Sequence, residues 1–219
     1  MGKRKLEKFK DNKASKFVIE EGKELFNKTK GRWKKIFNNS NPIEVELGCG
    51  YGEYTINLAK KYNSNNYIGI DIKGSRIWKG SKKAEEENLL NVIFLRIRIE
   101  KVQEFFSKNE LSKIYIIFPD PRPKTRDINK RLVSKKFMLS YYYLLKKNGK
   151  IILKTDNDNL FNFCIETLKK DFKYKDLLYT NNFYKSSLFF ESENIQTNYE
   201  KKYLSLDKKI NYLEFTVLN

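Results

Sequence analysis

The sequence predicts a doubly wound α/β fold, a mostly parallel central sheet with helices on both faces, and three observations point to it. Short apolar runs alternate with amphipathic segments along the 219 residues, the pattern of repeated βαβ units. Residues 43–71 (IEVELGCGYGEYTINLAKKYNSNNYIGID) place a strand, a glycine turn, a helix and a second strand in one such unit. Residues 114–118 (IYIIF) are apolar throughout, as expected of a central strand covered on both sides.

Each part of residues 43–71 has a physical reason. IEVEL reads as a buried strand. Gly48, Gly50 and Gly52 let the chain turn sharply and let a ligand approach main-chain atoms that a Cβ would shield. Ile56, Leu58 and Ala59 give the following helix its apolar side. Asp71 comes 19 residues after Gly52, in a strand predicted over residues 67–72; a carboxylate there can accept both hydrogens of a ribose diol. The dinucleotide fingerprint G-x-G-x-x-G serves a pyrophosphate. This loop instead reads E-x-G-x-G-x-G from Glu46, with Glu53 directly after it. Acids on both sides repel a pyrophosphate, whereas S-adenosylmethionine brings an ammonium and a sulfonium and no phosphate. The loop therefore favours S-adenosylmethionine over NAD, with an ordinary ligand-free strand, turn and helix as the plain alternative.

Composition narrows the chemistry. Two cysteines, Cys49 and Cys164, are too few for a disulfide framework or a cysteine-based zinc site, and the chain has no histidine. Histidine general-base chemistry and Ser-His or Cys-His pairs are excluded, and no metal is expected. No apolar run reaches membrane-span length, and MGKRKLEKFK lacks the apolar core of a signal peptide, so a soluble cytoplasmic protein is expected. The formal charge is +18, with 45 Lys and Arg against 27 Asp and Glu. Such an excess suits a nucleic acid, although abundant Lys, Asn, Ile, Tyr and Phe also mark AT-rich coding, so clustered charge carries more weight than the total.

Along the chain, residues 1–12 read as a basic arm, either disordered or laid on RNA phosphates. Residues 17–37 read as a lead-in segment packing on the sheet, and residues 38–42 as a turn-rich boundary. A helix is expected over residues 74–88 with Ile77, Trp78 and Ala84 inward, then a strand over 92–95. Its exit carries Arg98 and Glu100, where nucleoside-binding folds commonly meet the adenine. The strand over 114–118 runs into Pro119-Asp120-Pro121-Arg122-Pro123-Lys124-Thr125-Arg126. Three prolines stiffen this exit and display an acid and a row of cations where open α/β sheets bind ligands. Residues 134–145 form a helix with Ser134 as its cap, residues 146–150 (KKNGK) a turn, and residues 151–154 a strand followed by Asp156. Asp156 either caps the helix over residues 158–169 or contacts a ligand. A strand near Leu177, a polar loop over 186–200 and a last strand over 212–217 complete one domain without internal repeats.

Taken together, these motifs resemble the bacterial tRNA (guanine-N(7)-)-methyltransferase family, from about Pro42 to the end of the chain. The block FPDPRPKTRDINKRL (residues 118–132) is similar to the family's FPDP-W-x-K block, and ELGCGYGE, GIDIKGSR, LKTDNDNLF and TNYE follow the expected order. The resemblance implies a Rossmann-like methyltransferase domain over residues 42–219, preceded by a basic arm and lead-in over residues 1–41. It implies S-adenosylmethionine bound by Glu46, Gly48, Gly50 and Asp71, with Arg98 or Glu100 near the adenine. Asp120 is implied as the active-site aspartate, also lining the cofactor pocket. Lys124, Asp156, Thr197, Asn198, Tyr199 and Glu200 are implied as contacts to the guanine of a tRNA, with the variable loop as the expected target. Three positions depart from the family pattern: Arg122 replaces a tryptophan, Arg98 an acid, and Asn198 a lysine.

The chemistry agrees with the absence of histidine. Guanine N7 carries no hydrogen, so its methylation needs no base to remove a proton, and alignment and electrostatics are left to do the catalysis. An aspartate accepting hydrogen bonds from N1–H and the exocyclic amine would select guanine; Asp120, Asp156 or both fit, with Lys124 on a phosphate or O6. Three other readings stand beside this one. A methyltransferase acting on an exocyclic amine would place an aromatic residue after the prolines, where Arg122 and Pro123 stand; a non-catalytic RNA-binding module and an NAD-dependent oxidoreductase are further off. Oligomeric state, monomer or homodimer, is left open.

Overall fold

The computed structural model describes residues 3–218, with side chains from residue 5. In chain order the elements are α1 (Lys3–Ala14), β1 (Val18–Ile19), α2 (Trp33–Phe37), β2 (Ile43–Leu47), α3 (Glu53–Lys61), β3 (Asn66–Asp71), α4 (Gly74–Glu86), β4 (Val92–Arg96) and α5 (Val102–Phe105). They continue with β5 (Leu111–Ile117), α6 (Lys135–Leu144), β6 (Leu145–Thr155), α7 (Asp158–Asp171), β7 (Tyr174–Thr180), α8 (Leu188–Glu191), α9 (Asn198–Leu204) and β8 (Asn211–Val217). The sheet runs β1-β4-β3-β2-β5-β6-β8-β7. Strands β1 to β6 pair in parallel, and β8 is antiparallel to both β6 and β7.

Alternation within β2 explains the two layers. Ile43, Val45 and Leu47 enter one core with Trp33, Phe137, Tyr141 and Leu168, which buries α2, α6 and α7 on that face. The other core takes Ile56 and Ala59 of α3 and Ile77 and Ala84 of α4, together with Phe94, Tyr115 and Tyr212. Order reverses between β2 and β5, so a crevice opens at the carboxyl ends of these two neighbours. Asp71 ends β3 and Asp120 follows β5 on the same rim.

Several boundaries differ from those expected. Residues 3–14 are an ordered helix rather than a disordered arm, while Met1 and Gly2 lie outside the described residues. Polar contacts hold this helix to α4: the buried Asn12 Nδ2 donates to the Gly74 carbonyl at 2.8 Å, and Trp78 Nε1 donates to Asp11 Oδ2 at 2.8 Å. Trp78 thus faces α1, with Lys8 Nζ 4.6 Å from its ring centroid, and not the sheet. The lead-in segment packs as expected and also adds β1 to the sheet edge, Val18 opposite Phe94. KKNGK is part of β6, with Asn148 at φ 62 and a register shift in the facing β5. Ser134 precedes α6, but its hydroxyl donates to the Asn129 carbonyl and makes no cap bond. The expected polar loop over 186–200 contains α8 and leads into α9.

One aromatic ring sets how closely α4 and the glycine turn approach the sheet. Phe94 of β4 lies against Gly52, Gly69 and Gly80; a Cβ added at Gly69 or Gly80 would fall 2.8 or 2.6 Å from its ring. At Gly80 the added atom would also lie 2.9 Å from the Tyr51 carbonyl oxygen. Alanine in mid-helix would by itself gain about 1 kcal/mol over glycine, whereas overpacking of this kind costs roughly 1–3 kcal/mol. Gly80→Ala is therefore expected to destabilise the fold in urea denaturation, and Phe94→Leu in the same chain to relieve part of the loss. A neutral or stabilising Gly80→Ala would refute this packing account.

Candidate active site

The glycine turn is built around carboxylates. The amides of Gly48 and Cys49 donate to the Ile70 carbonyl at 2.8 and 2.9 Å, closing the turn on β3. Next, the Gly50 amide donates to Asp71 Oδ2 at 3.0 Å, and the Lys73 amide to Asp71 Oδ1 at 2.7 Å. Asp71, 8% exposed, is thus clasped between the turn and the start of α4. Gly52 takes φ +74 at the N-terminus of α3. Glu46, 5% exposed, reaches that helix from β2: its Oε2 accepts from the Thr55 amide at 2.9 Å and from the Thr55 hydroxyl. Burial pushes the Glu46 carboxyl up to about 8, the nearby Asp71 and Glu53 add to this, and the Thr55 bonds pull the other way. A carboxyl group of this kind is largely protonated at neutral pH until a cation arrives.

One side of the turn is unobstructed. A Cβ built on Gly50, at φ +55, meets nothing within 4 Å, so that side of the turn is open. The helix N-terminus, the usual seat of a phosphate, is filled by Glu46 instead. Arg98 and Glu100 are both exposed at the exit of β4, with Arg98 preceding a short 3-10 turn over Ile99–Lys101.

On the β5 side of the crevice the chain turns through two residues in the left-handed region, Phe118 and Arg122, each with φ 47. Asp120 makes a local turn, its Oδ1 accepting from the Arg122 amide at 3.1 Å while Arg122 Nε lies 3.2 Å from Oδ2. The carboxylate remains 64% exposed. Beyond it, Lys124 and Arg126 are exposed, and the segment folds back so that Leu132 lies near Gly48.

Two of the sequence expectations separate here. Asp156 does not cap α7: Asn157 does, its side chain accepting from the Leu160 amide at 2.8 Å. Asp156 is left at the rim, where the Tyr199 hydroxyl approaches its Oδ2 at 3.5 Å. Within TNYE, Thr197 and Glu200 face inward and form a capping box for α9. Glu200 is fully buried, 3.1 Å from the equally buried Lys154 Nζ, and also accepts from the Tyr184 hydroxyl at 2.9 Å. The Thr197 and Glu200 side chains therefore turn inward and set the start of α9, while the other two residues of the segment face the rim. Asn198 and Tyr199 are exposed. The Asn198 amide donates to both oxygens of Glu53 at 3.0 Å, and the Tyr199 ring lies 4.7 Å from Phe118. Hence α9 bridges the glycine turn, the β5 exit and Asp156. Sequence reasoning missed Lys154 and Thr55; a lysine inside the apolar run IILKT was the available signal for a buried partner. Burial lowers the Lys154 pKa and Glu200 raises it in part.

Comparison with known proteins adds the family. A family profile described as "Putative methyltransferase" matches residues 40–213. A tRNA (guanine-N(7)-)-methyltransferase of Cytophaga hutchinsonii is 42% identical over 219 residues, covering 100% of this chain and 99% of the relative. The chain belongs to the tRNA (guanine-N(7)-)-methyltransferase family. A second member of that family, from Christiangramia forsetii, is 40% identical over 98% of each chain. Among solved structures, 16S rRNA methyltransferase KamB superposes with a TM-score of 0.63 at 13% identity, covering 86% of this chain and 94% of that one, a likeness of fold. The Rossmann-like methyltransferase fold and S-adenosylmethionine as methyl donor follow for this family member.

The buried Lys154–Glu200 pair joins two of the family motifs, so its removal should be costly. Breaking one partner of a buried pair leaves the other uncompensated, at about 3–5 kcal/mol. Lys154→Met and Glu200→Gln are each expected to lower stability by that order in urea denaturation, and the double variant to lose clearly less than their sum. Additive losses would show that the two side chains act independently.

Proposed function

We propose that this chain methylates N7 of a guanine in tRNA, in the variable loop, yielding 7-methylguanosine in the cytoplasm. The observation that carries the proposal is one shared rim: Glu46 and Asp71 around an open glycine turn, and Asp120, Asp156 and Tyr199 at the exits of β5, β6 and the start of α9. S-adenosylmethionine, when bound, supplies the electrophilic methyl carbon. Glu46 faces its ammonium, Asp71 its ribose diol, and Gly48 and Gly50 let it lie against main chain; Arg98 or Glu100 stands near the adenine.

Asp120, lining the same pocket, gives up its ion pair with Arg122 and accepts from guanine N1–H and the exocyclic amine, alone or with Asp156. A carboxylate on that edge excludes adenine, which presents no such pair of donors, and draws electron density toward N7. Arg122, released, is free to meet a phosphate. Lys124 contacts a phosphate or O6, and Asn198 and Tyr199 border the base, held in place by Thr197 and Glu200. The target base must leave its stack, which is easier in a tRNA loop than in a duplex. Cations over residues 122–136 and on α1 hold the surrounding phosphates, so activity falls steeply with salt.

The test is methyl transfer from labelled S-adenosylmethionine to unmodified tRNA, with nucleoside digestion and mass spectrometry. The expected product is 7-methylguanosine; a methylated exocyclic amine would place the enzyme in the rival class. Asp120→Asn is expected to lower turnover at saturating cofactor by about 100-fold, the usual scale for one well-placed electrostatic group. Wild-type turnover in that variant would remove Asp120 from its role.

A further inference from the structure

The glycine turn carries one large side chain that the cofactor site does not explain. Tyr51 stands at its apex between Gly50 and Gly52, and its side chain is exposed, the residue as a whole by 57%. Its backbone is braced, since the Tyr51 carbonyl packs against Gly80 of α4 so closely that a Cβ there would lie 2.9 Å away. The ring is therefore displayed on a rigid support at the carboxyl rim of the sheet.

Two cations attend it. Lys79 Nζ lies 5.2 Å from the ring centroid and the Arg76 guanidinium carbon 5.8 Å. The charge of α4 is divided along its length. Toward the C-terminal end Lys82 pairs with Glu85 at 3.0 Å and Lys83 with Glu87 at 2.9 Å. Arg76 and Lys79, nearer the rim, form no ion pair among the described residues. An exposed aromatic ring flanked by unpaired cations is the combination that holds single-stranded nucleic acid: the ring takes a base on its face, and the cations take phosphates on either side. The lysines of α4 are thus paired toward its C-terminal end, and its unpaired cations gather around the tyrosine near the rim.

We propose that Tyr51, Arg76 and Lys79 form a second RNA contact, which stacks an unpaired nucleotide neighbouring the target guanine. This contact lies on the β3 side of the crevice, across from residues 120–131 on the β5 side. The RNA then straddles the cofactor cleft and is gripped on both sides of the flipped base. The inference rests on the tRNA reading above.

The experiment measures binding of unmodified tRNA across a salt series, binding of S-adenosylmethionine by calorimetry, and thermal stability, for wild type, Tyr51→Ala, Tyr51→Phe and the double variant Arg76→Ala/Lys79→Ala. Tyr51→Ala is expected to weaken tRNA binding roughly tenfold, with cofactor affinity and melting temperature unchanged and the salt slope preserved. Tyr51→Phe should restore affinity, because the ring and not the hydroxyl does the stacking. The double cation variant should weaken binding and flatten the salt slope by roughly one to two units. Wild-type tRNA affinity in Tyr51→Ala overturns the proposal. So does a loss confined to cofactor affinity, which would make the ring a cover for the cofactor. If the wild type binds no tRNA at all, the functional reading itself fails and this contact falls with it; a wild type that binds tRNA alongside an indifferent Tyr51→Ala sinks this contact alone.

Discussion

The site depends on where the protein puts its own negative charge. A helix start following a glycine turn is a ready anion site, with unpaired amides and the positive end of the helix dipole. Here Glu46 fills that position through the Thr55 amide, and Asp71 takes the Gly50 and Lys73 amides. The turn therefore meets a ligand with carboxylates rather than amides, in a chain whose overall charge is +18. A pyrophosphate would find those amides already taken, whereas an ammonium gives the Glu46 carboxyl group a partner that favours its ionised form. Most other features of the rim follow from keeping those two carboxylates in place.

The opposite wall is held by a different device. Lys154 lies in the buried part of β6, and Glu200 lies in the first turn of α9, 46 residues later in the chain. Their buried pair, with the capping box of Thr197 and Glu200, fixes α9 so that Asn198 meets Glu53 and Tyr199 meets Phe118 and Asp156. A buried pair contributes little net stability against an apolar replacement, but it accepts only one arrangement of its partners. The residues proposed to border the base are exposed because others in the same short motif are not.

Sequence patterns that depend on local period were legible, and those that depend on distant partners were not. Strands β2, β3 and β5 and the glycine turn announce themselves through apolar runs and glycine spacing, and the ordered motifs identify the family. Helix α1 carries only Leu6 and Phe9 as sizeable apolar residues, too few for a stripe, and is held by Asn12 and Asp11 reaching α4. Strand β1 has two residues and exists only because β4 offers it an edge. Asp156 and Asn157 are both plausible caps by composition, and the backbone decided for Asn157. Of TNYE, sequence spacing could not say which side chains turn inward; the lone lysine in IILKT was the clue that one carboxylate had to.

The central claim, that buried carboxyl groups in the turn await a cation, has a direct measurement. Without cofactor Glu46 has its pKa raised to about 8 and is mostly protonated at pH 7; a facing ammonium favours the carboxylate, so binding must release a proton. Affinity should accordingly rise with pH below about 8, the range in which the cofactor's α-amino group keeps its proton. Titration calorimetry of S-adenosylmethionine at pH 7, in two buffers of different protonation enthalpy, reads that proton. The account predicts release approaching one proton per cofactor in the wild type and little in Glu46→Gln; no release in the wild type, or equal release in both, would contradict it.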